Sequence, residues 1–146
     1  MRAIGIDYGE KRIGLSYGDE IGVATPLDPA IDKSEAERIA CIVKVAQDRK
    51  ATDLVVGYPY NMDGSAGFKA KEVDAFIAKL GEAINLPIHR IDERLTSVEA
   101  SKGFRPGRDD ELRRSGKLDS AAAALILQDF LNQRLPLPDY ESDEIG

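Results

Sequence analysis

The spacing of apolar positions changes near residue 30, and that change organises the chain. Ala3-Ile4-Gly5-Ile6 is a short apolar run ending on Asp7-Tyr8-Gly9, which predicts a buried strand over residues 2 to 7. Between Gly9 and Gly18, Ile13, Leu15 and Tyr17 alternate as a half-buried strand does. Gly22 to Leu27 follows the turn Gly18-Asp19-Glu20 and predicts a third short strand. Three strands joined by short turns make an antiparallel meander. The spacing then becomes helical. Ile39, Ile42, Val43 and Ala46 share one face, with Ser34 as N-cap and Glu37 at the capping-box position.

Further along, Asp53-Leu54-Val55-Val56-Gly57 is a continuous apolar run, the signature of a strand covered on both faces. A turn-rich loop from Tyr58 to Ser65 leads into a second helix whose core face is Val73, Phe76, Ile77, Leu80 and Ile84. Pro87 to Ile91 predicts a fifth strand. Thr96 and Glu99 form a second capping box opening a short helix to Ser101. Residues 102 to 117 lack periodicity and hold three glycines and a proline, as a mobile loop does. A last helix spans about 118 to 134, with Leu118, Ala122, Leu125, Ile126 and Leu131 available for packing, and Pro136 and Pro138 end it. The order β-β-β-α-β-α-β-α-α predicts an α/β fold: one mixed five-stranded sheet, three strands antiparallel and then two parallel, with helices on both faces. Residues 1–135 form the domain, and 136–146 read as an acidic, disordered tail.

Composition adds boundaries. At 146 residues, 42% hydrophobic and 32% charged, the chain reads as one soluble globular domain. No apolar run approaches the roughly 20 residues that span a bilayer. The N-terminus enters a strand directly, without a signal-peptide layout. The single cysteine, Cys41, excludes an internal disulfide, suits a cytoplasmic location and reads as a core residue of the first helix. A net charge of −6 argues against a general nucleic-acid footprint. Four of the acids lie in residues 139–146, however, so the rest of the chain carries only −2, and Arg90 to Lys117 holds eight bases against six acids. Charge therefore permits a nucleic-acid partner without predicting one.

The candidate chemistry lies in carboxylates at element boundaries. Asp7 closes the first strand, Asp92-Glu93 the fifth, and Asp119 opens the last helix. Each has an ordinary reading: an Asp after a strand is a common turn former, and one before a helix a common cap. Ser120 offers itself for the cap, leaving Asp119 for other work. Right-handed crossovers bring the carboxyl ends of the parallel strands to one edge of the sheet, where open α/β folds bind ligands. Carboxylates converging there are costly to desolvate without a positive partner, and oxygen-only ligands suit Mg²⁺ or Mn²⁺. Two such ions can hold the attacking water and the leaving oxygen of a phosphodiester in line. Strand alternation sends Asp92 and Glu93 to opposite faces, so one joins the site; the longer reach of Glu93 favours it, and the choice stays open. Lys11, Arg12 and Arg94 are placed to hold phosphates. Asn61, Gly64 and Ser65 offer donors at a helix start. His89, mid-strand among apolar neighbours, reads as a packed or surface residue and not a catalytic one.

Four ordered stretches carry a resemblance: Gly5-Ile6-Asp7-Tyr8-Gly9-Glu10-Lys11-Arg12-Ile13-Gly14-Leu15, Val56 to Ser65, Asp92-Glu93-Arg94-Leu95-Thr96, and Asp119-Ser120-Ala121-Ala122. Together they resemble the motifs of the YqgF/RuvX family over roughly residues 1 to 135. The resemblance implies an RNase H-like fold and a Holliday-junction-resolvase-like nuclease using Mg²⁺ or Mn²⁺. It further implies 5′-end trimming of precursor 16S rRNA in ribosome biogenesis. It places the catalytic acids at Asp7, the Asp92-Glu93 position and Asp119, with metal expected on Asp7, Glu93 and Asp119. Substrate contacts are expected at Lys11, Arg12, Asn61, Ser65, Arg94 and Thr96. The expected partner is RNA or a pre-ribosomal particle, with branched DNA or a non-catalytic, transcription-associated role as alternatives, and the protein as monomer or homodimer.

Overall fold

A computed structural model describes residues 1–59, 67–92 and 117–134. Its elements are β1 (Arg2–Asp7), β2 (Ile13–Asp19), β3 (Thr25–Ala30), α1 (Glu35–Asp48), β4 (Asp53–Tyr58), α2 (Gly67–Ala83), β5 (Ile88–Asp92) and α3 (Lys117–Arg134). The five strands form one sheet in the order β3-β2-β1-β4-β5. The pairs β1–β2 and β2–β3 are antiparallel, while β1–β4 and β4–β5 are parallel. The expected mixed sheet is therefore observed. The carboxyl ends of β1, β4 and β5 share an edge with the start of β2. Among the described residues no helix is long and apolar enough to cross a membrane.

Alternation along the strands divides the core in two. On one face Ile4, Ile6, Leu54 and Val56 pack with Ile39 and Ile42 of α1 and Phe76 and Leu80 of α2. On the other, Ala3, Val55 and Ile91 meet Ile126, Leu127, Phe130 and Leu131 of α3. Each large apolar side chain buried in this way contributes roughly 1.5–3 kcal/mol. Cys41 is half-buried at the rim of the first cluster, short of the core position expected. The Ser34 cap is present: its Oγ accepts from the Glu37 backbone N–H at 3.1 Å and donates to Glu37 Oε1 at 2.9 Å.

Two expectations shift. The third strand runs over Thr25–Ala30, later than residues 22 to 27. Gly22, at φ 90°, closes a turn onto the Asp19 carbonyl at 2.9 Å, and the Ala24 N–H is taken by Gln128 Oε1 of α3 at 2.9 Å. Strand pairing therefore starts only beyond them. β3 lies on the outer edge of the sheet, where strands carrying prolines such as Pro26 and Pro29 are tolerated and are blunted against further pairing. In α3 the buried apolar positions are Ala123, Ile126, Leu127, Phe130 and Leu131, while Ala122 and Leu125 are half-buried. Four alanines in a row, 121 to 124, carry no phase by which the face can be chosen. The helix expected at Thr96 to Ser101, most of the 102–117 loop and the acidic tail lie outside the described residues.

Candidate active site

The site is assembled where α3 crosses the small residues of the first two strands. Gly14 begins the crossing: a Cβ built there would lie 2.0 Å from the Asp119 carbonyl oxygen, so only glycine admits the helix so close. At the next residue Ser120 Oγ accepts from the Leu15 backbone N–H at 3.2 Å, and about one turn further Ser16 Oγ donates to the Ala123 carbonyl at 2.8 Å. Ser120 is thus a buried clasp to β2 inside the helix, not its cap. Gly14 also pairs with Asp7 across the β1–β2 ladder. One glycine therefore brings the Asp7 strand end and the Asp119 backbone to the same corner. Asp7 shares the strand parity of Ala3 and Gly5, which face α3, and Asp119 sits in that helix's first turn, where its positive end favours a carboxylate.

Arg12 completes the corner. Its Nε donates to Asp119 Oδ2 at 3.2 Å, with both side chains about one-third exposed (35% and 33%). A cleft of about 420 Å³ opens here, lined by Tyr8, Gly9, Glu10, Lys11, Arg12, Lys69, Glu72 and Asp119. Asp119 and Arg12 thus share a concavity with two lysines. Across it, desolvation first, then the hydrogen bond and charge of Glu10, push the Glu72 carboxyl above its ordinary range.

The loop bearing Lys11 and Arg12 is fixed from beneath by α1 and α2. The Tyr8 ring lies 4.6 Å from Phe76, and its hydroxyl donates to Glu35 Oε2 at 3.1 Å. Burial first, then the bond to Glu35, push the Tyr8 phenol up to about 12. Lys79 Nζ donates to Glu35 Oε1 at 2.6 Å and is the main reason the Glu35 carboxyl stays below its ordinary range. Arg38, only 6% exposed, donates from Nη1 to the Asp32 carbonyl at 2.7 Å and from Nη2 to the Glu10 carbonyl at 2.8 Å. Sequence reasoning passed over Arg38. The available signal was its spacing of four from Ile42 and eight from Ala46, which puts it on the buried face of α1.

The fifth strand presents Asp92 at the same edge, opposite Tyr58. Ile91 belongs to the α3-side core, whereas Arg90 lies over the Tyr58 ring and reaches Asp74 of α2 at 3.5 Å. Asp92 shares the parity of Arg90, and so belongs to the face opposite Asp119. Glu93, Arg94, Thr96, Asn61 and Ser65 lie outside the described residues. Among the described residues no group of three His, Cys, Asp or Glu stands ready to hold a metal ion. Asp7 and Asp119 offer oxygen donors of the kind hard cations take, and Asp119 already holds one cationic group. His89 is held by ring packing and polar contacts away from the cleft: its ring lies 4.9 Å from Phe130, Arg134 reaches Nδ1 at 3.3 Å, and Nε2 lies 2.9 Å from Asp53 Oδ2.

Comparison with known families decides the lineage. A family model described as Holliday junction resolvase, RuvX, matches residues 1–133. The chain belongs to the RuvX family. A RuvX relative from Opitutus terrae, named "Putative pre-16S rRNA nuclease", is 52% identical over 139 residues, covering 94% of this chain and 96% of its own. One of the same name from Anaeromyxobacter dehalogenans is 40% identical over 137 residues, covering 93% and 100%. Among solved structures, RuvC of Thermus thermophilus superposes with a TM-score of 0.52 at 16% identity, covering 92% of this chain and 96% of that one. The fowlpox virus resolvase in complex with Holliday junction DNA gives 0.51 at 13%, covering 93% and 100%. At those identities the likeness speaks for the fold alone, and the fold is RNase H-like.

Proposed function

We propose that this RuvX-family chain is a divalent-metal-dependent endonuclease that hydrolyses phosphodiester bonds in RNA, its biological reaction being 5′-end maturation of precursor 16S rRNA in the cytoplasm. The observation that carries this reading is the corner where the Asp7 strand end and the Asp119 backbone both abut Gly14, with Asp119 opening on a cleft it shares with Lys11, Arg12 and Lys69. The names of its relatives support the substrate. Glu93 is the third acid of this reading. Strand parity sends Asp92 to the α2 side, away from Asp119, and this is the ground for preferring its neighbour in sequence.

Bound by Asp7, Glu93 and Asp119, Mg²⁺ or Mn²⁺ would supply charge to the phosphoryl oxygens and acidity to a water. The protein's own residues then position the substrate. Lys11 and Arg12 hold phosphates beside the scissile bond, on a loop made rigid by Arg38 and Tyr8. Asn61, Ser65, Arg94 and Thr96 extend the grip along the strand. A second reading, a resolvase acting on branched DNA, draws on the family description and uses the same acids. The two separate by competition: an RNA carrying the 5′ precursor extension against a four-way DNA junction, both with Mn²⁺. Preference for the RNA by a monomer supports maturation. Symmetric paired nicks in the junction by a dimer support resolution instead. A non-catalytic role is supported if the acids can be neutralised with no loss of cellular function.

A further inference from the structure

Asp119 Oδ2, an oxygen that a divalent ion would use, is held by the Nε of Arg12 at 3.2 Å. A divalent ion held by that carboxylate would meet a guanidinium on the same oxygen as a like charge. The loop backbone around Arg12 is pinned, by Arg38 on the Glu10 carbonyl and by Tyr8 between Phe76 and Glu35. What can yield is the Arg12 side chain, which is one-third exposed and opens on the cleft it shares with Lys11 and Lys69. A pair this exposed is weak, so its loss costs little.

We propose that Arg12 is the resting counter-ion of Asp119, displaced when a divalent cation enters, and that displacement hands its guanidinium to a phosphate of the nucleic acid in the same cleft. This rests on the metal-dependent reading above. It makes Arg12 a positioning residue with two successive partners, and it makes metal loading and phosphate capture one event.

The test reads binding, not cleavage. Mn²⁺ is titrated into the metal-free full chain without nucleic acid and followed by the electron paramagnetic resonance of free Mn²⁺. Arg12→Gln, with Arg12→Met as a second variant should Gln impair folding, is expected to bind Mn²⁺ roughly two- to fivefold more tightly than wild type. The gain should shrink at high salt, where the pair is screened, and vanish in an Asp119→Asn background. Affinity unchanged or weakened in the Arg12 variants overturns the proposal. If wild type and Asp119→Asn bind Mn²⁺ alike, or neither binds it, the metal reading itself fails. The handover has its own readout in the salt dependence of binding a short RNA in EDTA. Asp119→Asn, which removes the Arg12–Asp119 ion pair without metal, should steepen the slope by up to about one ion, and only when Arg12 is present. A slope that does not steepen, or steepens equally in Arg12→Gln, overturns it.

Discussion

At Asp119 the start of α3, the crossing over Gly14 and the Arg12 guanidinium all meet, so substitutions there separate chemistry from folding. Its ion pair is one-third exposed, worth about 0–1 kcal/mol, and Asp119→Asn should leave denaturation by urea nearly unmoved. The same change should lower cleavage of RNA at least ~100-fold, as loss of a metal-binding group does. Glu93→Gln should match that loss while Asp92→Asn stays near wild type, since Asp92 belongs to the face opposite Asp119; the reverse pattern would assign the site to Asp92. Arg38 behaves oppositely. It is buried, and its removal strands the Asp32 and Glu10 carbonyls, so Arg38→Met should destabilise the fold by about 2–3 kcal/mol in urea titration. Arg38→Lys, with one point charge for two divergent carbonyls, should recover only part of it.

Among elements, the closest dependence is that of α3 on the glycines beneath it. Gly14→Ala would drive a methyl onto the Asp119 backbone, which cannot step aside without moving the helix. A cost of about 2–3 kcal/mol and a matching fall in activity are expected, against a smaller effect at Gly81, where a Cβ would meet only Ile88 Cδ1 at 3.9 Å. This contact also marks the reach of sequence reading. The strands and the first two helices are legible because Ile4, Ile6, Val55, Phe76 and their kind repeat at the period of the element that buries them. So is the placing of Asp7 and Asp92 on one edge, which follows from two parallel crossovers. The face of α3 is not, because its alanines are uninformative, nor is the role of Gly14, which shows only once a helix far along the chain lies on it. Arg38 and the Arg12–Asp119 pair are tertiary choices of the same kind: long side chains with many acceptors within reach, selected by packing.

For the molecule as a whole, acid sensitivity should follow two carboxylates outside the cleft. Glu35 and Asp53 are both lowered from ordinary values of 4.5 and 3.8: Glu35 chiefly by Lys79, Asp53 by hydrogen bonds from His89 and Thr52 that outweigh its burial. A lowered folded-state value means their stabilisation is present above those ordinary values and is lost as pH falls through the folded ones. Melting temperature should therefore drop below about pH 4.5, and less steeply in Asp53→Asn. Tyr8 acts at the other limit. Raised from 10.0 to about 12, it contributes stability that is fully present below pH 10.0 and lost as pH climbs towards 12, a loss Tyr8→Phe should remove. None of these changes tests the reaction. That test is cleavage of an RNA bearing the precursor 16S 5′ extension by wild type and by folded Asp7→Asn, each with Mn²⁺ and with EDTA. The account predicts a discrete cut by wild type with Mn²⁺ and none in the other three conditions. Equal cleavage by Asp7→Asn, or cleavage that survives EDTA, would contradict it.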